Sequence, residues 1–132
     1  MKLPEGPEVK KNTRDLAEAV AGSTITSVKI VSGRYTRNKL ACYSEFVDNL
    51  PCKLIGAGCH GKFIYIMFNN GWNLWSTLGM TGSWSKTATK HTRVTLQTSN
   101  GEVHYNDIRN FGTLKFVYGK HELLKKLSSL GL

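Results

Sequence analysis

Apolar residues recur along this chain in two rhythms. Val9, Leu16, Ala17 and Val20 fall at helical spacing, so they line one stripe of a helix that opens the chain. Pro7 suits its first turn, Glu5 and Glu8 suit the positive end of the helix dipole, and Gly22 is a natural stop. From Thr24 onward the rhythm shortens. Thr24 to Val31 reads as a strand and Arg34 to Lys39 as a basic loop. Tyr43 to Leu50, ahead of Pro51, reads as one or two helical turns. Leu54 to Gly58 and Lys62 to Phe68 read as strands around a Cys59-His60-Gly61 turn, and Asn69-Asn70-Gly71 is a hairpin signal. Trp72 to Leu78, Arg93 to Thr98, Val103 to Asn106 and Thr113 to Tyr118 complete the run of strands, with a second tight turn at Ser99-Asn100-Gly101. Helical spacing returns from His121 to Leu130. The pattern predicts a mainly β fold with flanking helices: a two-sheet antiparallel β-sandwich with an N-terminal and a C-terminal helix.

Composition narrows the classes. The 132 residues suit one domain with a real core. No stretch approaches the ~20 apolar residues of a membrane span, and no apolar signal segment opens the chain. Three cysteines, Cys42, Cys52 and Cys59, make an odd count at no metal-ligand spacing, which fits reduced thiols in an intracellular protein; without a four-cysteine set no zinc is expected, and no cofactor is expected. Eighteen Lys and Arg against nine Asp and Glu give a net charge of +9. That excess favours a polyanionic partner, because each neutralised phosphate releases counterions; a merely solvated basic surface is the bland alternative.

Four segments hold candidate chemistry. In Pro4-Glu5-Gly6-Pro7-Glu8, the plain reading is a helix start. The sharper one is an N-terminal nucleophile: a terminal proline is a secondary amine that attacks a sugar C1′ to form an iminium, with Glu5 shuttling protons during ring opening. Gly61-Lys62-Phe63 is either a solvated turn or an ammonium held on a hairpin tip before a phosphate or a leaving base. In LGMTGSW, Met80 stands between glycines where the chain turns, a position suited to a wedge that fills a gap in a base stack. In DIRNFG, Arg109 and Phe111 alternate, so on an extended segment they share a face. They suit reading an unpaired base and stacking on its neighbour, with Asp107 orienting the arginine through a bidentate pair. Lys90, His91 and Arg93 form a basic cluster able to grip phosphate; an ordinary charged strand end is the alternative.

Taken in order, PEGPEV, GKF, LGMTGSW and DIRNFG resemble the N-terminal domain of the formamidopyrimidine-DNA glycosylase / endonuclease VIII family. SGRY and RNFGTLKF look like giant-virus members of the endonuclease VIII branch. The resemblance implies a base-excision-repair glycosylase with AP lyase activity. In it Pro4 is the nucleophile, Glu5 the adjacent general acid/base, Glu8 a second helix glutamate and Lys62 the hairpin-tip lysine. Met80, Arg109 and Phe111 fill the gap left by a flipped nucleotide. It implies damaged double-stranded DNA as partner and a DNA-containing compartment: nucleus, nucleoid or viral factory. It also implies a C-terminal domain, with a helix–two-turns–helix element and a zinc or zincless finger, that residues 1–132 do not contain; the Leu-Gly-Leu end reads as a cut between domains. Without that half, binding to DNA is expected to be weak and steep in salt.

The chain departs from the family pattern at named positions. Met1-Lys2-Leu3 precede Pro4, and an amide nitrogen cannot attack a sugar. Those residues are an addition, a misplaced start or a trimmed leader, or else the chain is a catalytically inactive DNA-binding module. Thr77 stands where family members commonly carry histidine. Gly6 after Glu5, and DIRNFG in place of DPRRFG, point toward oxidised pyrimidines or ring-opened purines. A third reading, a basic β-sandwich that binds RNA or protein, rests on charge alone and would gain ground if Met80, Arg109 and Phe111 were buried away from a common groove.

Overall fold

A computed structural model describes residues 7–131, with side chains from residue 11 onward. Pro4 and Glu5 lie outside the described residues, as does the side chain of Glu8. The helix α1 (Pro7–Val20) is followed by β1 (Thr24–Ile30), a 3-10 turn (Arg34–Thr36) and the short helix α2 (Tyr43–Val47). Then come β2 (Cys52–His60), β3 (Phe63–Phe68), β4 (Trp72–Thr77), β5 (Gly82–Ser85), β6 (Thr92–Thr98), β7 (Gly101–Asp107), β8 (Thr113–Tyr118) and the closing helix α3 (Lys120–Ser129).

The eight strands hydrogen-bond in the order β5-β7-β6-β1-β2-β3-β4-β8, and every neighbouring pair is antiparallel. β1 meets β2 at only two positions, Thr24 with Lys53 and Ile25 with Cys52. The sheet therefore divides into two four-stranded halves that fold onto each other. One core joins them: Ile25, Trp84, Val94, Leu96, Val103 and Tyr105 from one half meet Leu54, Ile64, Ile66, Leu74, Leu114 and Phe116 from the other. The indole N–H of Trp84 crosses the layer to Ser76 Oγ at 3.1 Å. The expected two-layer sandwich is present, built from one continuous strand order.

Alternation along β3 shows how the second layer is finished. Ile64, Ile66 and Phe68 face the shared core, while Phe63, Tyr65 and Met67 point outward and are covered by Leu123 and Leu127 of α3. At the other end, Leu16 and Val20 of α1 pack into the core. Asn12 on the same helix treats the edge strand as a neighbouring strand would. Its Nδ2 donates to the Trp84 carbonyl at 2.5 Å, and its Oδ1 accepts the Trp84 N–H at 3.0 Å. That pairing satisfies an open sheet edge and ties α1 to the strand that follows Met80. β5 itself is not predicted by the sequence pattern. Its Gly-Ser-Trp-Ser run has little β propensity, and pairing with β7 supplies what propensity lacks.

Candidate nucleic-acid interface

Three connections meet at one end of the two halves. The β2–β3 hairpin closes through Gly61-Lys62, between the paired residues His60 and Phe63; Gly61 takes φ +58°, a left-handed value that glycine adopts at little cost. The Lys62 carbonyl accepts the Leu78 N–H at 2.9 Å, which joins this tip to the β4–β5 connection. Met80, on that connection, is 46% exposed. Gly79 beside it lies against the β7–β8 connection: a Cβ there would come 3.3 Å from Phe111 Cβ and 3.4 Å from the Gly112 nitrogen. Phe111 is 66% exposed and Ile108 60% exposed, and Arg109 between them is also exposed. Met80, Arg109 and Phe111 are therefore exposed on adjoining connections next to the Lys62 tip. Apolar side chains held in water around an arginine mark an interaction surface, and their exposure lends no added support to the basic-sandwich reading that rested on charge.

Asp107 frames that surface, and here the expectation needs correction. Its carboxylate does not pair with Arg109. It is fully buried, with Oδ1 accepting the Thr81 hydroxyl and Oδ2 accepting the Tyr105 hydroxyl at 2.7 Å and the Gly112 N–H at 3.0 Å. The Arg109 backbone N–H in turn donates to Thr81 Oγ1 at 3.1 Å. One carboxylate thus ties the Met80 connection to the Phe111 connection. Burial alone would raise its pKa, but the hydrogen bonds from Thr81, Tyr105, Gly112 and Asn110 outweigh burial and hold it below the usual carboxylate range. Burial, then the bond to Asp107, pushes the Tyr105 phenol far above its ordinary value, so it stays a neutral donor.

Arg93 stands apart from Lys90 and His91. Its Nε donates to the Asp107 carbonyl at 2.8 Å, Nη2 to the Ile108 carbonyl at 3.0 Å and Nη1 to Ser32 Oγ at 3.1 Å. It braces the start of the β7–β8 connection instead of standing ready for phosphate. Lys90 remains exposed on the turn before β6. His91 lines a hydroxyl-rich groove of about 360 Å³ with Thr81, Ser83, Thr89 and Ile108, so it opens onto the same region as the exposed connections.

Sequence reasoning missed Thr81, Tyr105 and Gly112 as parts of the frame. The alternation of Tyr105 and Asp107 on one strand face was an available signal. Gly112 admits no side chain: a Cβ would collide with the Tyr105 hydroxyl and come 2.9 Å from the Thr77 carbonyl. We predict that Gly112→Ala destabilises the fold by about 3 kcal/mol, read as a lower denaturant midpoint. An unchanged midpoint would show that this backbone can move away from Tyr105.

The family model for the formamidopyrimidine-DNA glycosylase N-terminal domain matches residues 3–114. The chain is 36% identical over 120 residues to the formamidopyrimidine-DNA glycosylase of Exiguobacterium sibiricum, covering 86% of this chain and 42% of the relative. It is 29% identical over 136 residues to that of Lactiplantibacillus plantarum, covering 98% and 49%. Among solved structures it is similar to MutM in complex with DNA containing carbocyclic 8-oxo-G, with a TM-score of 0.79, 27% identity, and coverage of 95% of this chain and 48% of that one. The MutM (Fpg) protein from Thermus thermophilus superposes with a TM-score of 0.73 at 28% identity, over 94% and 44% of the two chains. The chain spans about half the length of the relatives it matches. With the family model matching most of its length, the chain belongs to the formamidopyrimidine-DNA glycosylase N-terminal domain family.

Proposed function

We propose that this chain is the catalytic half of a base-excision-repair DNA glycosylase with AP lyase activity. It acts on oxidised pyrimidines or ring-opened purines in duplex DNA, within a DNA-containing compartment and together with a C-terminal domain. The observation that carries this reading is the shared exposure of Met80, Arg109 and Phe111 beside the Lys62 hairpin tip. A target base is inaccessible inside a duplex. Side chains that enter the stack hold the vacancy open while the nucleotide is turned out. Met80 and Phe111 supply apolar wedges, and Arg109 supplies donors for the estranged base. Lys62, Lys90 and His91 face phosphates. Asp107 keeps the wedge connections in register.

The chemistry assigned to Pro4 is covalent. Its nitrogen lone pair forms a bond to C1′, and the glycosidic bond breaks with its electrons leaving on the base, which takes a proton. Ring opening, with Glu5 carrying the proton, leaves an iminium between proline and sugar. That cation accepts electrons as a C2′ proton is removed and the 3′ C–O bond breaks; a second elimination releases the 5′ phosphate, and water returns the free amine. Glu8, on the opening helix, is the further carboxylate of the set.

Borohydride reduction in the presence of an abasic duplex tests this reading. An irreversible adduct whose peptide map ends at Pro4 is the expected result. No adduct from a chain shown to begin at Pro4 would leave a DNA-binding module that keeps the wedge without the nucleophile.

A further inference from the structure

The segment between β1 and α2 is absorbed by none of the roles above, yet it is built around the β7–β8 connection. Ser32 accepts from Arg93, whose guanidinium also holds the Asp107 and Ile108 carbonyls at the start of that connection. Tyr35 secures its far end: the phenol donates to the Leu114 carbonyl at 3.1 Å and accepts the Leu114 N–H at 2.8 Å. Gly33, with φ +87°, is pressed against the Asn110 side chain and lies where a Cβ would be 3.1 Å from Arg93 Cδ. The connection bearing Arg109 and Phe111 is thus held at its start by Arg93, which Ser32 of the turn also engages, and at its far end by Tyr35.

Between Ser32 and Tyr35 stands Arg34. It is half-buried, and its guanidinium lies over the Tyr35 ring, 5.9 Å from the centroid. Among the described residues that guanidinium has no hydrogen-bonded or ion-paired partner. Its place across the sheet is set by strand order. β3 pairs with β4, β4 with β8, and the segment runs along the open edge of β8 through Tyr35 and the bridge from Ala41 to Lys115. Lys62, just before β3, and the Arg34 segment beyond β8 therefore lie on opposite sides of the Phe111 connection.

Resting on the glycosylase reading, we infer that Arg34 binds a backbone phosphate of the strand opposite the lesion, next to the estranged base. With Lys62 on the lesion-bearing strand and the Met80–Arg109–Phe111 wedge in the gap, a cation beyond the wedge meets the other backbone. The guanidinium carbon lies over the Tyr35 ring, and a planar fork suits phosphate oxygens.

The test uses the 132-residue chain at low salt and duplexes carrying a stable abasic analogue, with a single methylphosphonate placed on either strand. Fluorescence anisotropy across a salt series gives affinity and slope. Arg34→Gln is expected to weaken binding roughly tenfold and to reduce the salt slope by about 0.9, while Arg34→Lys keeps the slope. Neutralising the phosphate beside the estranged base should weaken the unsubstituted chain by the same factor and leave R34Q unchanged. Equal affinity and slope in R34Q, loss of slope in R34K, or coupling to a phosphate of the lesion-bearing strand would each overturn the assignment. Absence of a Pro4 adduct with this coupling intact would overturn the enzymatic reading alone.

Discussion

Trimming Met1-Lys2-Leu3 so that the chain begins at Pro4 is expected to raise the borohydride-trapped yield on abasic DNA by on the order of 10³-fold or more, the scale on which loss of a covalent nucleophile acts. The reason is electronic. With Leu3 attached, the Pro4 nitrogen is a tertiary amide whose lone pair is delocalised into the carbonyl, so it is neither basic nor nucleophilic. Freed, it is a secondary amine, and an ordinary α-amino group titrates near pH ~8. Trapping by the trimmed chain should therefore rise with pH as protonated amine is converted to free amine. The untrimmed chain should show no such rise. Intact mass of each preparation, followed by adduct yield at several pH values, checks both points. Equal trapping by the two chains would mean that a lysine, and not Pro4, forms the imine.

Asp107→Ala is expected to cost about 3 kcal/mol or more of stability. The substitution leaves the Thr81 and Tyr105 hydroxyls and the Gly112 N–H without their shared acceptor at a fully buried position. The pH dependence has a definite sign. The folded-state pKa of Asp107 is depressed, so its contribution is complete above the unfolded value of about 3.9. It is lost as pH falls below that value and through the folded one. Asp107→Asn should cost less than alanine, because an amide oxygen still accepts from Gly112, and should flatten the acid limb of the stability curve. Urea midpoints for the three proteins between neutral pH and about pH 3 give the comparison. An acid limb unchanged in D107N would show that the carboxylate carries no net favourable charge interaction.

These two effects sit on opposite sides of what the chain reveals by reading. Pro4 could be singled out because the chemistry proposed for it would be a property of one residue and its position. Asp107 could be noticed, but its partner could not. Sequence proximity suggested Arg109, two residues on. The fold brought Thr81, from a connection 26 residues earlier, and Gly112 instead. Arg93 follows the same rule: beside Lys90 and His91 in sequence it looked like part of a phosphate grip, and in space it holds Asp107 and Ile108 carbonyls. Tyr35 carried no local signal, since its two bonds to Leu114 span 79 residues.

Local patterning determined the helices, seven of the eight strands and the exposed positions of Met80, Arg109 and Phe111, because periodicity and turn residues act over a few neighbours. It also determined the order of motifs that marks the family. Tertiary structure alone decided that β5 exists, since that strand is held by β7 and by Asn12 of α1. It alone decided which polar groups close around the Asp107 carboxylate and where Arg34 stands relative to Lys62. Hydrogen bonds between distant segments form only once the two halves have packed, and a buried charge takes whichever donors that packing delivers.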